Sequence, residues 1–159
     1  MSQGLTSAGI KISYSVEAAA GSRPTTAAVY TPIAGLKEIP DMNPQPDALE
    51  TTTFDDTVYK TYTQGLKDLG GTLGFNFNLT SAFVTAWETL ITAYTTGATT
   101  ATPLATWFCI EIPNITKALY FTGEPAPLGL SGTSVNSVLE ITAYIVPSNQ
   151  PVWATKPTA

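Results

Sequence analysis

Apolar and polar residues alternate along several short stretches of this chain, the pattern of β-strands with one buried and one solvated face. The first such stretch runs from Ile10 to Val16, and a second, from Ala27 to Ile33, is weakened by Pro32. The clearest alternation lies at Thr72 to Leu79, where leucine and phenylalanine fall on one side and glycine and asparagine on the other. These stretches predict three strands in the first half of the sequence.

The second half of the chain continues the same pattern. Strands are predicted at Trp107 to Ile112, at Lys117 to Thr122 and over the long stretch from Ser134 to Val146, with a further edge piece at Val152-Trp153. Turns rich in glycine and proline separate them, as expected for a meandering antiparallel sheet. The sequence therefore predicts seven or eight strands in all.

One stretch has the helical period instead, with apolar residues at steps of three and four. Thr80 or Ser81 can cap the start of this helix, and Gly97 can end it. The predicted core face consists of Phe83, Val84, Trp87, Leu90, Ile91 and Tyr94. The predicted fold is mainly β, an antiparallel β-sandwich or barrel of about seven to eight strands with one flanking α-helix.

A long segment between the second strand and the clearest one lacks either period. Gly35 to Leu49 carries three prolines and three carboxylates and is predicted to be a loop. A loop of this length is either functional or a flexible hairpin tip without a role. Fifteen extended residues span at most roughly 50 Å, whereas a domain of this size has a radius of gyration of about 15 Å. Glu50 to Phe54 then reads as extended, Asp55-Asp56 as a break, and Gly65 to Gly71 as a glycine turn. The loop is thus predicted to reach beyond its own domain.

Composition and charge restrict the partners. The 159 residues predict one domain with flexible N- and C-terminal arms, and charged residues make up only 12%. About one residue in six is threonine, which suits strands whose outer faces touch other protein and so suggests self-assembly. The net charge is −5, and no Lys or Arg lies between Glu38 and Tyr59. This acidic block, either a solvated loop or a contact surface, argues against tight binding of nucleic acid.

Residues for catalysis or metal binding are scarce. The chain has no His and a single Cys, Cys109, within an apolar run, so the usual nucleophile–base pairs and zinc sites are not expected. Asp55-Asp56 reads as a pair of turn residues, and no phosphate-binding glycine motif precedes the helix. We therefore expect neither an enzyme nor a cofactor, and the lack of any run of eighteen apolar residues predicts no membrane partner.

A series of short motifs occurs in a fixed order through the middle of the chain. They are Glu50-Thr51-Thr52, Asp55-Asp56, Tyr62, Gly65-Leu66-Lys67-Asp68, Gly70-Gly71, Leu73 and Phe75-Asn76-Phe77. This order resembles the signature of the major tail tube proteins of long-tailed, non-contractile bacteriophages. The following helix and the Phe-x-Ile-x-Ile-Pro strand at Phe108 to Pro113 lie where that family has them, and the similarity extends roughly from Ile10 to Val146.

The resemblance implies a structural role in the virion. Proteins of that family form hexameric rings, whose inner sheets join into a continuous β-barrel, and the rings stack into a tube that conducts DNA. The implied partners are further copies of the chain and the tape-measure, tail-tip and tail-terminator proteins. Duplex DNA is expected to pass without specific binding, and the protein to be assembled in the bacterial cytoplasm and to reside in the tail.

The resemblance also assigns assembly residues. The long loop contacts the neighbouring ring in that family, which corresponds here to Asp41, Asn43, Pro44, Pro46, Asp47 and Glu50. Turn and subunit contacts are expected at Asp55, Asp56, Lys67 and Asp68. Many members add an immunoglobulin-like domain at the C-terminus, for which these 159 residues leave no room, so a single tail-tube domain is expected.

Two other interpretations stay open at this point. A carbohydrate-binding β-sandwich would present exposed aromatic residues on one face, for which Tyr59, Tyr62 and Trp153 are available. A minor tail or tail-completion protein of the same fold would form one ring and stop there.

Overall fold

The protein is mainly β, as its sequence predicts. The computed structural model describes residues 8–159, and the predicted N-terminal arm lies, but for Ala8, outside them. The described part contains ten strands, one α-helix and a 3₁₀ turn at Ala27–Val29. Their bounds are β1 Lys11–Ala18, β2 Thr31–Ile33, β3 Leu36–Glu38, β4 Ala48–Glu50, β5 Tyr62–Gln64, β6 Leu73–Asn78, α1 Ser81–Ala98, β7 Ala105–Glu111, β8 Lys117–Pro125, β9 Glu140–Pro147 and β10 Val152–Thr155. All pairings between these strands are antiparallel.

Eight of the strands form one sheet that nearly closes on itself. Its order is β2-β1-β7-β8-β9-β6-β3, with β10 added beside β8. The two strands at the ends of this order, β2 and β3, are joined in sequence by Ala34 and Gly35 alone. Gly35 has a φ of +90°, which favours glycine, and its carbonyl accepts from the amide of Asn78 at 2.9 Å. Residues 31–38 therefore act as one bent strand that links the two edges of the sheet.

Strand β8 is where the sheet folds over. Its first part pairs with β7 and β10, whereas Gly123 to Pro125 pair with β9. A β-carbon on Gly123 would lie 2.6 Å from Ile145 Cγ2 and 3.0 Å from the Val146 carbonyl oxygen, so this crossing requires glycine. The two halves of the sheet then face each other, and the Phe121 ring of β8 stacks on Phe75 of β6 at 6.4 Å between centroids.

The helix completes the core between these halves. Phe83, Trp87 and Leu90 are buried, and the Phe83 ring stacks on Phe77 of β6 at 4.6 Å. The Trp87 indole nitrogen donates to the Ala126 carbonyl oxygen at 2.8 Å, which satisfies its polar atom inside the core. Helix and sheet thus share one hydrophobic core, and we call the eight-stranded sheet together with α1 the barrel.

The margin of the helix is less buried than its centre. Ile91 is half-buried and packs against the edge of the core. Tyr94 is also half-buried but is not part of the core cluster; burial and the nearby Glu124 carboxylate raise the pKa of its hydroxyl. The predicted stripe is therefore core at Phe83, Trp87 and Leu90, whereas Val84, Ile91 and Tyr94 are half-buried at its margin.

The ends of the helix differ in how well the sequence predicts them. Thr80 is the N-cap, and its hydroxyl accepts from the Phe83 amide at 3.1 Å. Gly97 does not end the helix, which continues to Ala98 and is followed by Thr99. Gly97 is buried, and a β-carbon there would lie 2.6 Å from Val16 Cγ1. This glycine therefore allows the helix to approach β1 closely.

The outer face of the β1–β7–β8 half is covered as well. Tyr30, Trp107, Cys109 and Tyr120 are buried there in a second apolar cluster, which explains why β7 is apolar on both faces. Rather than being a free arm, the C-terminal segment pairs with β8 through β10, and Thr158 bridges to Thr26. The Tyr120 hydroxyl also donates to the Thr155 carbonyl at 2.7 Å.

Several predicted boundaries are wrong. The stretch Ala27 to Ile33 splits into the 3₁₀ turn and β2, and the long strand predicted from Ser134 begins only at Glu140. The predicted loop Gly35 to Leu49 contains β3 and the start of β4. Strands of three residues such as these depend on their pairing partners, and they raise the strand count from the predicted seven or eight to ten.

Candidate assembly surfaces

A long segment between β3 and β6, residues 39–72, projects from the sheet, and we call it the arm. Within it β4 and β5 pair with each other, Leu49 opposite Thr63, and form a two-stranded sheet separate from the main one. Every residue of these two strands is exposed. The arm is therefore a hairpin that its own domain does not cover.

The base of the arm is held in place. Ile39 and Met42 are half-buried and pack against the core. The Asp41 carboxylate accepts from the Asn43 amide at 2.9 Å, and the Asp47 amide donates to the Leu66 carbonyl at 3.0 Å. The base therefore has defined structure where the sequence predicted an open loop. Of the predicted contact residues here, Pro44 and Pro46 are half-buried, and Asp41, Asn43, Asp47 and Glu50 are exposed.

The acidic pair lies in the loop at the tip of the hairpin. The Asp56 carboxylate accepts from the Thr53 amide at 2.8 Å, while the Asp56 amide donates to the Thr53 carbonyl at 3.0 Å. Next to this loop, the hydroxyls of Thr51 and Thr61 lie 3.0 Å apart, one on each side of the hairpin. Asp55 is exposed beside them. Both acids therefore occupy a turn, with their charges in solvent.

The return from the hairpin to the barrel is a glycine turn. The Asp68 carboxylate accepts from the Gly70 amide at 2.8 Å, and Gly70 and Gly71 both have positive φ, +87° and +83°. Lys67 and Asp68 are exposed. The predicted residues of this turn thus fix the direction of the chain as it enters β6.

The arm exposes an unusual amount of apolar surface. The Phe54 side chain is 106% exposed, Tyr59 82% and Leu66 85%. The exposed apolar residues of the arm are Leu49, Phe54, Val58, Tyr59, Tyr62 and Leu66. An isolated two-stranded hairpin is marginally stable in water, and contiguous exposed apolar surface marks an interaction site. Both features make the arm a candidate interaction surface.

A second apolar surface surrounds α1 and the loop 126–139. A cleft of about 470 Å³ lies between them, with Val84 and Ile91 of the helix on one wall and Leu128 and Leu130 of the loop on the other. Glu88 is the charged residue of this lining. The loop contains no charged residue, and its exposed apolar residues are Leu130, Val135, Val138 and Leu139.

These two surfaces join β6 at opposite ends. The arm enters β6 at Leu73 and α1 follows after Asn78, so the six residues of the strand separate the two attachment points by about 20 Å. Glu140, where the loop 126–139 enters β9, pairs with Asn78 and therefore lies at the helix end. We call these the arm end and the helix end. The molecule therefore has two different apolar surfaces, the hairpin of the arm and the cleft beside α1.

Neither a protein-family model nor a curated protein matches this chain.

Part of the outer face of the β9–β6–β3 half is polar. There the Glu140 carboxylate accepts from the Lys37 ammonium and, at 3.0 Å, from the Asn76 amide. These bonds, chiefly the one from Lys37, lower the pKa of Glu140. The charges of this pair cancel locally, so this part of the face is hydrogen-bonding but nearly neutral.

Chemically reactive groups are few in residues 8–159. Burial raises the pKa of the Cys109 thiol to about 11, which makes it a poor nucleophile. No group of three or more acidic or cysteine side chains in this range is arranged to hold a metal ion. None of the helices in the described part of the chain has the length and apolar character needed to cross a bilayer.

The three aromatic residues considered for sugar binding lie on two different elements. Tyr59 and Tyr62 belong to the hairpin, whereas Trp153, 52% exposed, lies on β10 of the main sheet. The cleft at the helix end was not predicted from the sequence. A signal for it is present in the sequence, since residues 126–139 contain five leucine and valine residues and no charge, but the pattern from Ser134 onwards predicts a strand instead.

Proposed function

We propose that this protein is a structural subunit that assembles with copies of itself into stacked rings, forming the tail tube of a bacteriophage. The exposed arm is the feature of the structure that supports the proposal most directly. It presents three aromatic side chains to solvent, Phe54, Tyr59 and Tyr62, on a hairpin of two three-residue strands. Burying aromatic residues of this size on a neighbouring copy supplies the stabilisation that the hairpin lacks alone.

The presence of two different apolar surfaces supports repeated association over simple dimers. Two unlike surfaces favour a head-to-tail contact, in which the arm of one copy meets the cleft of the next. Such a heterologous contact leaves a free surface at each end of the pair, so growth continues until it closes or forms a filament. A tube of stacked rings uses this property.

The composition and the sheet are compatible with a conduit. Closure of the sheet through residues 31–38 leaves few free edges for uncontrolled pairing. The net charge is −5 with seven basic residues, which suits a wall that repels phosphates instead of retaining them. Duplex DNA is therefore proposed to pass through the tube without specific binding.

The remaining details of the proposal come from the resemblance of the sequence to tail tube proteins. These are six subunits to a ring, partnership with the tape-measure, tail-tip and tail-terminator proteins, assembly in the bacterial cytoplasm and final location in the virion tail. A single ring of a tail-completion protein is the nearest alternative, because it would use the same barrel without stacking.

Electron microscopy of the purified protein, together with light scattering over a range of concentrations, tests the proposal. We expect rings and hollow tubes whose length grows with protein concentration. Isolated rings that never stack would favour the tail-completion alternative. A strict monomer at high concentration, also after addition of tail-tip and tape-measure proteins, would contradict the proposal.

A further inference from the structure

We propose that the cleft between α1 and residues 127–130 is the docking site for the hairpin of a second copy of this chain, with Tyr59 as the inserted side chain. The inference deepens the proposed function and depends on its self-association, though not on rings or on DNA. It names the acceptor surface, which the exposed arm by itself does not.

The hairpin is the exposed apolar element that the chain can offer as an occupant of the cleft. The hairpin is not docked on its own body, since its aromatic residues are 57% to 106% exposed. The arm joins β6 at Leu73, whereas the cleft of the same copy includes Leu79, just beyond the other end of that strand. A neighbouring copy, however, can present its helix end to the arm end. The hairpin of one copy is thus the apolar element that this geometry makes available to the cleft of the next.

Size and area are consistent with this pairing. The cleft measures about 470 Å³, and a cavity of about 150 Å³ already takes a benzene ring. Three aromatic side chains bury about 450 to 750 Å² if each contributes about 150 to 250 Å². A stable interface needs about 800 Å² from each partner. The exposed leucine and valine residues of the hairpin supply much of the difference.

Charge selects Tyr59 among the aromatic residues. Phe54 is followed directly by Asp55 and Asp56, which would meet the negative Glu88 at the rim of the cleft. Tyr59 is followed by Lys60, whose ammonium lies 4.0 Å from Glu50 in an exposed and therefore weak pair. Insertion of Tyr59 brings a cation to the rim that Glu88 makes negative.

Disulfide trapping provides the first part of the test. In a Tyr59→Cys, Leu130→Cys double variant, oxidation should join successive copies into a ladder of covalent oligomers. The matched control is Tyr59→Cys with Trp153→Cys, because Trp153 is exposed on a strand away from the cleft. Cys109 is buried, so it should form no disulfide in either variant. The assignment would be overturned if the control variant gave a ladder in equal yield. It would also be overturned if Leu130→Cys alone gave most of the cross-linked product, because that result indicates cleft-to-cleft dimers.

Complementation provides the second part. A Phe54→Ser, Tyr59→Ser variant keeps its cleft, and a Leu130→Glu variant keeps its hairpin; all three positions are highly exposed, so both variants should fold. Each variant alone should form at least tenfold less polymer than the wild type. Their mixture should form one-to-one pairs, as measured by analytical ultracentrifugation. Variants that polymerise normally, or a mixture that stays monomeric while the wild type assembles, would contradict the inference. A wild type that never associates would instead contradict the proposed function.

Discussion

The barrel and the arm use the same kinds of residue in opposite ways. Phe77 and Phe121 are completely buried in the barrel, whereas Phe54 in the arm is 106% exposed. Five of the eight strands of the main sheet, β1, β6, β7, β8 and β9, pair on both sides, and the sheet folds over a shared core. The two strands of the hairpin pair only with each other. The difference is whether the sheet folds back over itself. A sheet that does so can bury its own aromatic residues, whereas a hairpin of six paired residues needs another surface.

This contrast separates stability from assembly. Residues of the barrel should control whether the chain folds, and residues of the arm should control whether folded chains associate. The following variants test that division, from the largest expected effect on the stability of the barrel to the smallest.

Trp87→Ala should destabilise the subunit most, by about 3–5 kcal/mol, because it leaves a cavity where the helix meets both halves of the sheet. It also leaves the Ala126 carbonyl without its indole donor. Urea unfolding followed by fluorescence measures the change. Trp153→Ala, at an exposed site, is the control and should cost within about 0.5 kcal/mol. An unchanged midpoint for Trp87→Ala would place the helix outside the core.

Gly123→Ala should cost less, about 1–3 kcal/mol, as an overpacked site does. The added methyl would approach the Val146 carbonyl oxygen at 3.0 Å, and a backbone atom paired within the sheet moves aside less easily than a flexible side chain. Thermal unfolding is the measurement. Gly129→Ala serves as the matched control, since a β-carbon there meets nothing within 4 Å. Equal melting temperatures for the two variants would show that β8 does not need its close crossing.

Glu140→Gln should have a small effect that depends on pH. The folded-state pKa of Glu140 is lowered by Lys37 and Asn76, so its contribution to stability is fully present above the unfolded value of 4.5. The contribution is lost as the pH falls through the lower folded value. Melting temperatures of wild type and variant should therefore differ at neutral pH and converge in acid. A difference that stays constant with pH would contradict the role of this carboxylate.

Removal of the hairpin should leave the barrel nearly unchanged. The Gly65 amide bonds to the Asp47 carbonyl, so a short Gly-Ser link can replace residues 48–64 without strain. We expect a change in unfolding free energy within about 0.5 kcal/mol, with loss of assembly in light scattering. Loss of the near-ultraviolet circular dichroism signal as well would show that the hairpin belongs to the folding unit of the barrel.

The sequence predicts the elements that local pattern determines. Strand β6 and the Thr80 cap of α1 follow from alternation, helical period and capping chemistry, each within a few residues. It fails for β3 and β4, whose three residues carry no period and form strands only because β6 and β5 pair with them. Gly97 looks like a helix end in sequence, whereas its actual role, close packing on Val16, exists only in the folded chain.

The same limit applies to the assembly surfaces. The prolines and acids of the arm predict an extended projection from composition alone, and Asp55-Asp56 predict its turn. The cleft at the helix end has no such local signal. It forms because Trp87 bonds to Ala126 and so holds the loop beside the helix, a contact between residues far apart in the chain.

Hydrogen–deuterium exchange, compared between dissociated and assembled protein, tests the division between barrel and arm most directly. In the dissociated subunit we expect the amides of β6 and β7 to exchange slowly and those of β4 and β5 to exchange within seconds, since an exposed two-stranded hairpin opens readily. On assembly, the hairpin and the cleft residues of α1 should become protected together while the barrel changes little. A hairpin that is protected equally in the dissociated subunit, or that stays unprotected in the assembly, would contradict the account.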